Sequence, residues 1–262
     1  MDKQDEVAAA NRKLWEEEVA RGCGYTIPWL DLDVQAFRAY RERETNVLPE
    51  APSGSITMFD VRDKDLLCLA LGGGQQTAVY SLLGARVTSV DLAEGQIEGD
   101  RRAAAHYGYE ITTIRGDMRD LSFLEADSFD VVVGSALVYV PDVREVYAQV
   151  ARVLHTGGIY RTDAGQSVLQ FVDWNGESYC ITRPYADRID RRDDGGIEFR
   201  HYMDDLFNGL IEAGFSICEV SEPPHDRRPA PDANPGGWNH QRKYVGGEFR
   251  IVARKERPPR DA

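Results

Sequence analysis

No run of about 18 or more apolar residues occurs anywhere in the 262-residue chain, so no segment is long enough to cross a bilayer as a helix. Cysteine is scarce. Cys23, Cys68, Cys180 and Cys218 lie far apart, with no C-x-x-C pair and no zinc-finger spacing, which excludes a disulfide framework and a structural zinc site as organising devices. Cys68 and Cys218 fall inside apolar strand-like runs, where a small buried hydrophobe is the expected role. A basic cluster is missing too. The net charge is −13, and the arginines are interleaved with acids, as in DRIDRRDDGG. Gripping a phosphodiester backbone calls for a concentrated basic face, so no nucleic-acid partner is expected. The opening MDKQDEVAAANRKLWEEE is charged from its second residue and lacks the apolar centre of a secretory signal. The expectation is therefore a cytoplasmic protein with a small-molecule partner and no membrane attachment. A homodimer is left open.

What is present is alternation. Residues 2–21 read as an amphipathic helix with Val7, Leu14 and Val19 near one face, stopped by Gly22 and Gly24. YTIPWLDL reads as extended. Asp33 then caps a short helix in which Val34, Phe37 and Tyr40 recur at helical spacing. NVLPEAPSGSIT, residues 46–57, reads as a linker. From there LLCLAL, ARVTSVD, EITTIRGD, FDVVVGSAL and GGIYRTDAG are strand candidates, separated by helical stretches that close at Gly84 and Gly108 or follow Asp142. Near-continuous apolar strands alternating with helices are the pattern of a parallel sheet covered on both faces. Past Ala164 the alternation breaks. Residues 166–200 read as an insertion with one or two hairpins. A helix through MDDLFNGLIEA and the strands FSICEV and EFRIVAR follow, with residues 223–247 too rich in proline and glycine for a helix. The expected divisions are a helical cap and linker over 1–57, a main domain over 58–257, and a tail over 258–262.

The stretch Leu66 to Asp91 concentrates the chemistry. Gly72, Gly73 and Gly74 follow the first strand, where such a sheet binds ligands outside its carboxyl ends. Asp91 ends the second strand, placed to accept both hydroxyls of a ribose. The dinucleotide pattern G-x-G-x-x-G is broken by Thr77, and no G-K-[ST] follows to make a P-loop. The set instead resembles the class I S-adenosylmethionine-dependent methyltransferases of the small-molecule type. The likeness rests on LALGGGQQ, VTSVDL, IRGDMRDL, SFDVVVGSALVYVPD and VLHTGGIYRTDAG in that order, then the closing pair AGFSICEV and EFRIVARK.

The resemblance implies a Rossmann-like, doubly wound α/β sheet of seven strands, mostly parallel with an antiparallel last strand. To it are added the N-terminal cap and the insertion after strand five. The implied cofactor is S-adenosyl-L-methionine, with S-adenosyl-L-homocysteine as product. Gly72 and Gly74 would hold its amino-acid and ribose parts, with Leu71, Gly73 and Gln96 as further cofactor-binding residues. Asp91 would take the ribose hydroxyls, Leu92 and Met118 would flank the adenine, and Asp117 would accept from its amino group. Ser135 and Ala136 would border the methionine arm. The chain departs from the family where Cys68 replaces a frequent acid and Ala70 a frequent glycine. Gln75 and Gln76 are unusual too, and are expected to contact the cofactor's carboxylate or the surroundings of Asp91.

The implied reaction is methyl transfer to an oxygen or nitrogen of a small acceptor, for instance in secondary metabolism. It needs alignment and exclusion of water. Trp15, Tyr25, Trp29, Tyr139, His201 and Tyr202 are candidate acceptor contacts. His201, His240 and Tyr139 are candidate catalytic groups, a histidine serving as base if the acceptor must lose a proton. His225 reads as a surface loop residue, and no metal site is expected. The competing readings are an enzyme of the same fold with another reaction, a non-catalytic cofactor-binding subunit and, last, a nicotinamide dehydrogenase.

Overall fold

The computed structural model of the chain describes residues 3–51, 60–222 and 234–256. The expected boundary at 57/58, His225 and the 258–262 tail lie outside those residues. Before the sheet come α1 (Lys3–Arg21), a 3-10 turn over Gly24–Thr26 within the stretch expected to be extended, and α2 (Val34–Arg41). Asp33 caps α2, accepting the N–H groups of Gln35 and Ala36, each at 3.1 Å. Phe37 and Tyr40 of α2 are buried, whereas Val34 is exposed.

The main domain runs β1 (Asp65–Leu69), α3 (Gln76–Leu82), β2 (Arg86–Asp91), α4 (Glu94–Tyr107), β3 (Thr112–Arg115), β4 (Phe129–Gly134), α5 (Val143–Val153) and β5 (Leu154–Gly165). The insertion forms two hairpins, β6 (Val172–Trp174) with β7 (Tyr179–Ile181), and β8 (Ile189–Arg191) with β9 (Ile197–Phe199). Then follow α6 (Met203–Glu212), β10 (Phe215–Ser221), α7 (Trp238–Val245) and β11 (Glu248–Lys255). The helix α7 corrects the expectation of an unbroken loop over 223–247. All five prolines of that segment precede Gly237, and residues 238–245 contain neither proline nor glycine, so two helical turns can form there.

Seven strands make one sheet in the order β10-β11-β5-β4-β1-β2-β3. All are parallel except β11, the last strand, which is antiparallel to both β5 and β10. The period of two along β1 explains the layering. Leu66 and Cys68 face a core built with Phe37 and Tyr40 of α2 and Ala78 and Val79 of α3. Leu67 and Leu69 face the opposite core, with Val146 and Val150 of α5 and Leu206 and Leu210 of α6. Both faces are covered, as parallel strands require. At the sheet's edge, β10 has alternating exposure and Cys218 points to solvent, contrary to the buried role expected of it. Cys68 is fully buried.

Strand order reverses between β1 and β4, and this switch point opens the crevice in which such sheets bind ligands. The glycine loop at its edge lies directly on α4. A Cβ on Gly74 would come within 2.4 Å of the Gly99 carbonyl oxygen, and one on Gly99 within 2.7 Å of the Gly73 Cα. Both positions exclude any side chain because backbone meets backbone. Gly99→Ala is expected to destabilise the fold by about 1–3 kcal/mol through this overpacking, read as a lower urea midpoint at unchanged slope.

Candidate cofactor and acceptor site

The crevice contains a pocket lined on its floor by Ala70, Asp91, Leu92, Gly116, Asp117 and Met118, and roofed by Ala8, Asn11 and Tyr139. The floor comes from the carboxyl ends of β1, β2 and β3. The roof comes from α1 and from the 3-10 turn Leu137–Tyr139 that follows β4. Five residues assigned from sequence, Asp91, Leu92, Asp117, Met118 and Tyr139, thus meet around one space.

Asp91 is almost fully buried. One carboxylate oxygen accepts the Ala93 N–H at 3.0 Å and the other the Gly72 N–H at 3.3 Å. Burial pushes its pKa up to about 6, with those backbone donors opposing the rise and the charge of Asp100 adding to it. Gly72 allows this approach, since a Cβ there would lie 3.0 Å from the carboxylate. Behind the loop, the Gln96 carbonyl accepts the Gly73 N–H at 2.8 Å, while the buried Gln96 Oε1 has no hydrogen-bond partner. Asp117 accepts the Arg119 guanidinium through both oxygens, so a ligand amine at Asp117 has to share that carboxylate.

Ser135 and Ala136 follow β4. The Ser135 N–H donates to the Leu69 carbonyl at 3.3 Å, and Ala136 takes a left-handed φ of 65°. Ala70, at the position where the family often has glycine, also has a left-handed φ, of 50°. Its methyl group is held there at a strain of about 1–2 kcal/mol. Leu71 packs against the core on the α2–α3 side of the sheet. Gln75 precedes the first residue of α3, Gln76. The Gln75 side-chain amide turns to the N-terminal segment, donating to the carbonyls of Gly24 at 2.7 Å and Ile27 at 2.8 Å. Those contacts differ from the expected ones because two carbonyls of the cap lie within its reach.

The cap is stitched down at further points. Asn11 donates to the carbonyls of Ile197 and Tyr139 and accepts the Ile197 N–H at 2.8 Å. Glu16 accepts the N–H groups of Glu94 and Gly95 at the start of α4, where a carboxylate also suits the helix dipole. The backbone N–H of Trp29 donates to the Gly74 carbonyl. Asn11 was missed in the sequence, although a polar residue three before Leu14 on the apolar face of a helix was a readable signal.

The aromatic and histidine candidates divide. Trp15 packs edge-on against Tyr139, with ring centroids 6.0 Å apart. His201 is buried, and its Nε2 donates to the Leu137 carbonyl at 2.8 Å, anchoring the turn that carries Tyr139. Burial lowers its pKa, so the imidazole is neutral at pH 7. Tyr202 precedes α6, stacks on Tyr185 and donates to the Tyr185 carbonyl. Tyr25 is largely exposed, though its carbonyl lies against Gly73. His240 stands in α7, where Nδ1 meets the Tyr179 hydroxyl at 2.7 Å beside Trp174 and Tyr244. Among the described residues no group of three or more metal-ligating side chains occurs.

A glycine cradle without room for Cβ atoms, a buried carboxylate at the second strand's end and an unpartnered amide oxygen beside them fit a nucleoside with an amino-acid arm. The comparisons agree. Residues 67–162 match the family described as "Methyltransferase domain". The chain is 31% identical over 232 residues to an uncharacterised methyltransferase, YbaJ, of Bacillus subtilis, covering 82% of this chain and 90% of that protein. Its fold is similar to an S-adenosylmethionine-dependent methyltransferase from Mesorhizobium loti, with a TM-score of 0.63 at 24% identity over 75% of this chain and 93% of that one. A second such structure, from Listeria monocytogenes, gives 0.62 at 21% identity over 76% and 93%. The site and fold define a nucleoside-binding enzyme of the doubly wound class. The chain belongs to the class I S-adenosylmethionine-dependent methyltransferases.

With ribose hydroxyls placed on Asp91, cofactor affinity is expected to depend on pH. The raised pKa of that carboxylate stabilises the fold below the unfolded value near 3.8, and that contribution is lost as pH rises through about 6. Hydroxyl donors from a ribose favour the ionised form, so binding below pH 6 releases a proton. S-adenosylhomocysteine is expected to bind about tenfold more weakly at pH 5 than at pH 7. Calorimetry at the two pH values checks this, and Asp91→Asn should flatten the dependence.

Proposed function

We propose that the protein transfers a methyl group from S-adenosylmethionine to an oxygen or nitrogen of a small-molecule acceptor in the cytoplasm, in chemistry of the kind found in secondary metabolism. The observation that carries this reading is the roof: Asn11 of α1 joins the pocket, the turn bearing Tyr139 and β9 of the insertion in one hydrogen-bonded cover. Such a cover suits a small acceptor and keeps water from the reacting atoms. The acidic balance of the chain, −13, weighs against a polyanionic acceptor.

When bound, S-adenosylmethionine supplies an electrophilic methyl carbon on a positively charged sulfonium. Gly72, Gly73 and Gly74 would cradle its amino-acid and ribose parts, and Asp91 would accept the ribose hydroxyls. Leu92 and Met118 would flank the adenine, with Asp117 accepting from its amino group. Ser135 and Ala136 would border the methionine arm. On the acceptor side Tyr139 is the best-placed group. Burial pushes its pKa up to about 12, so its hydroxyl stays protonated and orients an acceptor by hydrogen bonding rather than taking its proton. Trp15 packs edge-on against the Tyr139 ring. His201 is neutral, and because Nε2–H is spent on Leu137, Nδ1 carries the lone pair that could take a proton.

Calorimetric titration with S-adenosylmethionine and S-adenosylhomocysteine tests the cofactor half. Micromolar affinity lost in Asp91→Ala is expected, and no binding by the unaltered protein would sink the reading. Once an acceptor is found by screening for methylated products, Tyr139→Phe should raise its KM about tenfold, the worth of one hydrogen bond of about 1–1.5 kcal/mol. S-adenosylhomocysteine affinity should then change less than twofold. Unchanged acceptor kinetics would remove Tyr139 from that role.

A further inference from the structure

We propose that Asp100, a residue of α4 outside the pocket lining, is a positioning residue that fixes the far end of the glycine loop for the cofactor. The inference rests on the cofactor reading above and extends it to a side chain that need not touch the ligand.

Asp100 is fully buried. Its Oδ1 accepts two hydrogen bonds, from the Gly74 N–H and from the Thr77 hydroxyl, each at 2.7 Å, and its Oδ2 accepts the Ser89 hydroxyl at 2.6 Å. Three elements are thereby joined at one carboxylate: the glycine loop, the first turn of α3 and the strand β2 that ends in Asp91. The stitch explains Thr77, which stands where a dinucleotide loop has its third glycine. Here the hydroxyl is needed and a glycine would break the bond. It also explains why α4 can lie against the loop at Gly99 without any side chain between them. With all three donors spent on it, the carboxylate is served by hydrogen bonds in place of water.

The charge matters as well as the shape. The charged and titratable groups acting with Asp100 are Asp91 at the end of β2, Cys68 on β1, Arg101 beside it on α4, and Tyr109 after α4. Arg101 is the one cation among these and lies at the surface. Burial is the main cause of the raised pKa of Asp91, and the charge of Asp100 adds to it; burial raises the pKa of Asp100 as well. One side chain thus holds the geometry of the loop and adds to the raised pKa of Asp91.

The test compares Asp100→Ala, Asp100→Asn and Thr77→Val with the unaltered protein in three measurements. These are S-adenosylhomocysteine affinity at pH 7, the pH midpoint of that affinity, and hydrogen exchange of the Gly74 amide in ligand-free protein. Asp100→Ala should weaken binding tenfold to a hundredfold and speed Gly74 exchange at least tenfold. Asp100→Asn keeps one oxygen for Gly74, so it should restore affinity to within about threefold, while moving the pH midpoint downwards. Thr77→Val keeps the volume and should fall between the two in exchange. If Asp100→Ala leaves both affinity and Gly74 exchange unchanged, the positioning role is overturned. So it is if Asp100→Asn is folded and matches the alanine variant in affinity with no midpoint shift. Failure of the unaltered protein to bind S-adenosylhomocysteine would overturn the cofactor reading itself, a result distinct from either.

Discussion

The direct contact of the glycine loop with α4 is the constraint on which the rest of the site depends. Gly73, Gly74 and Gly99 leave two backbones touching, and packing at that distance tolerates no added atom. The loop's direction then fixes where Gly72 meets Asp91, and Asp91 in turn holds the start of α4 through Ala93. Loop, strand end and helix start form a closed circuit in which each member is positioned by the next. The pocket opens on the side of that circuit facing the strand-order reversal, so the sheet topology supplies the opening and the glycines supply its wall.

A second layer is added by chain far away in sequence. Residues 3–32 lie across the crevice and reach the turn after β4, the second hairpin of the insertion and the glycine loop itself. Cap and insertion therefore meet over the same opening through Asn11, although 186 residues separate that side chain from Ile197. An opening covered by two separately encoded pieces can change its mouth without disturbing the nucleotide floor. This arrangement lets one cofactor fold serve many acceptors.

The sheet was legible in the sequence because β1 and β4 are buried on both faces and carry the apolar runs LLCL and VVV, while Gly84, Gly108 and Asp142 punctuate the helices between the strands. The order of motifs brought Asp91 and Asp117 to one pocket for the same reason: they sit at or just past strand ends, where position in the pattern determines position in space. The contacts that escaped are of another kind. Asp100 stands in EGDRRAAAHY amid charged neighbours and looks like one more solvated acid; only its spacing from Ile97, Ala103 and Ala104 puts it on the buried face. For Gln75 the sequence suggests the cofactor's carboxylate or the surroundings of Asp91, but its choice of Gly24 and Ile27 depends on where a distant segment lies, which no local pattern encodes. Cys218 was misread because an apolar run on an edge strand need not be covered on both faces. The α7 helix was hidden by averaging composition across a segment whose prolines are all at one end.

The cap's grip has an evolutionary corollary. Asn11, Glu16 and Gln75 hold main-chain atoms of their partners: the carbonyls of Gly24, Ile27 and Tyr139, the N–H groups of Glu94 and Gly95, and both the N–H and the carbonyl of Ile197. Every residue except proline offers those atoms, whatever its side chain. The gripping residues are thus constrained while most of the gripped positions can drift, and tolerance to substitution across the interface is one-sided. Relatives that share this lid should keep the three polar side chains while the lining they cover varies with the molecule each has come to accept.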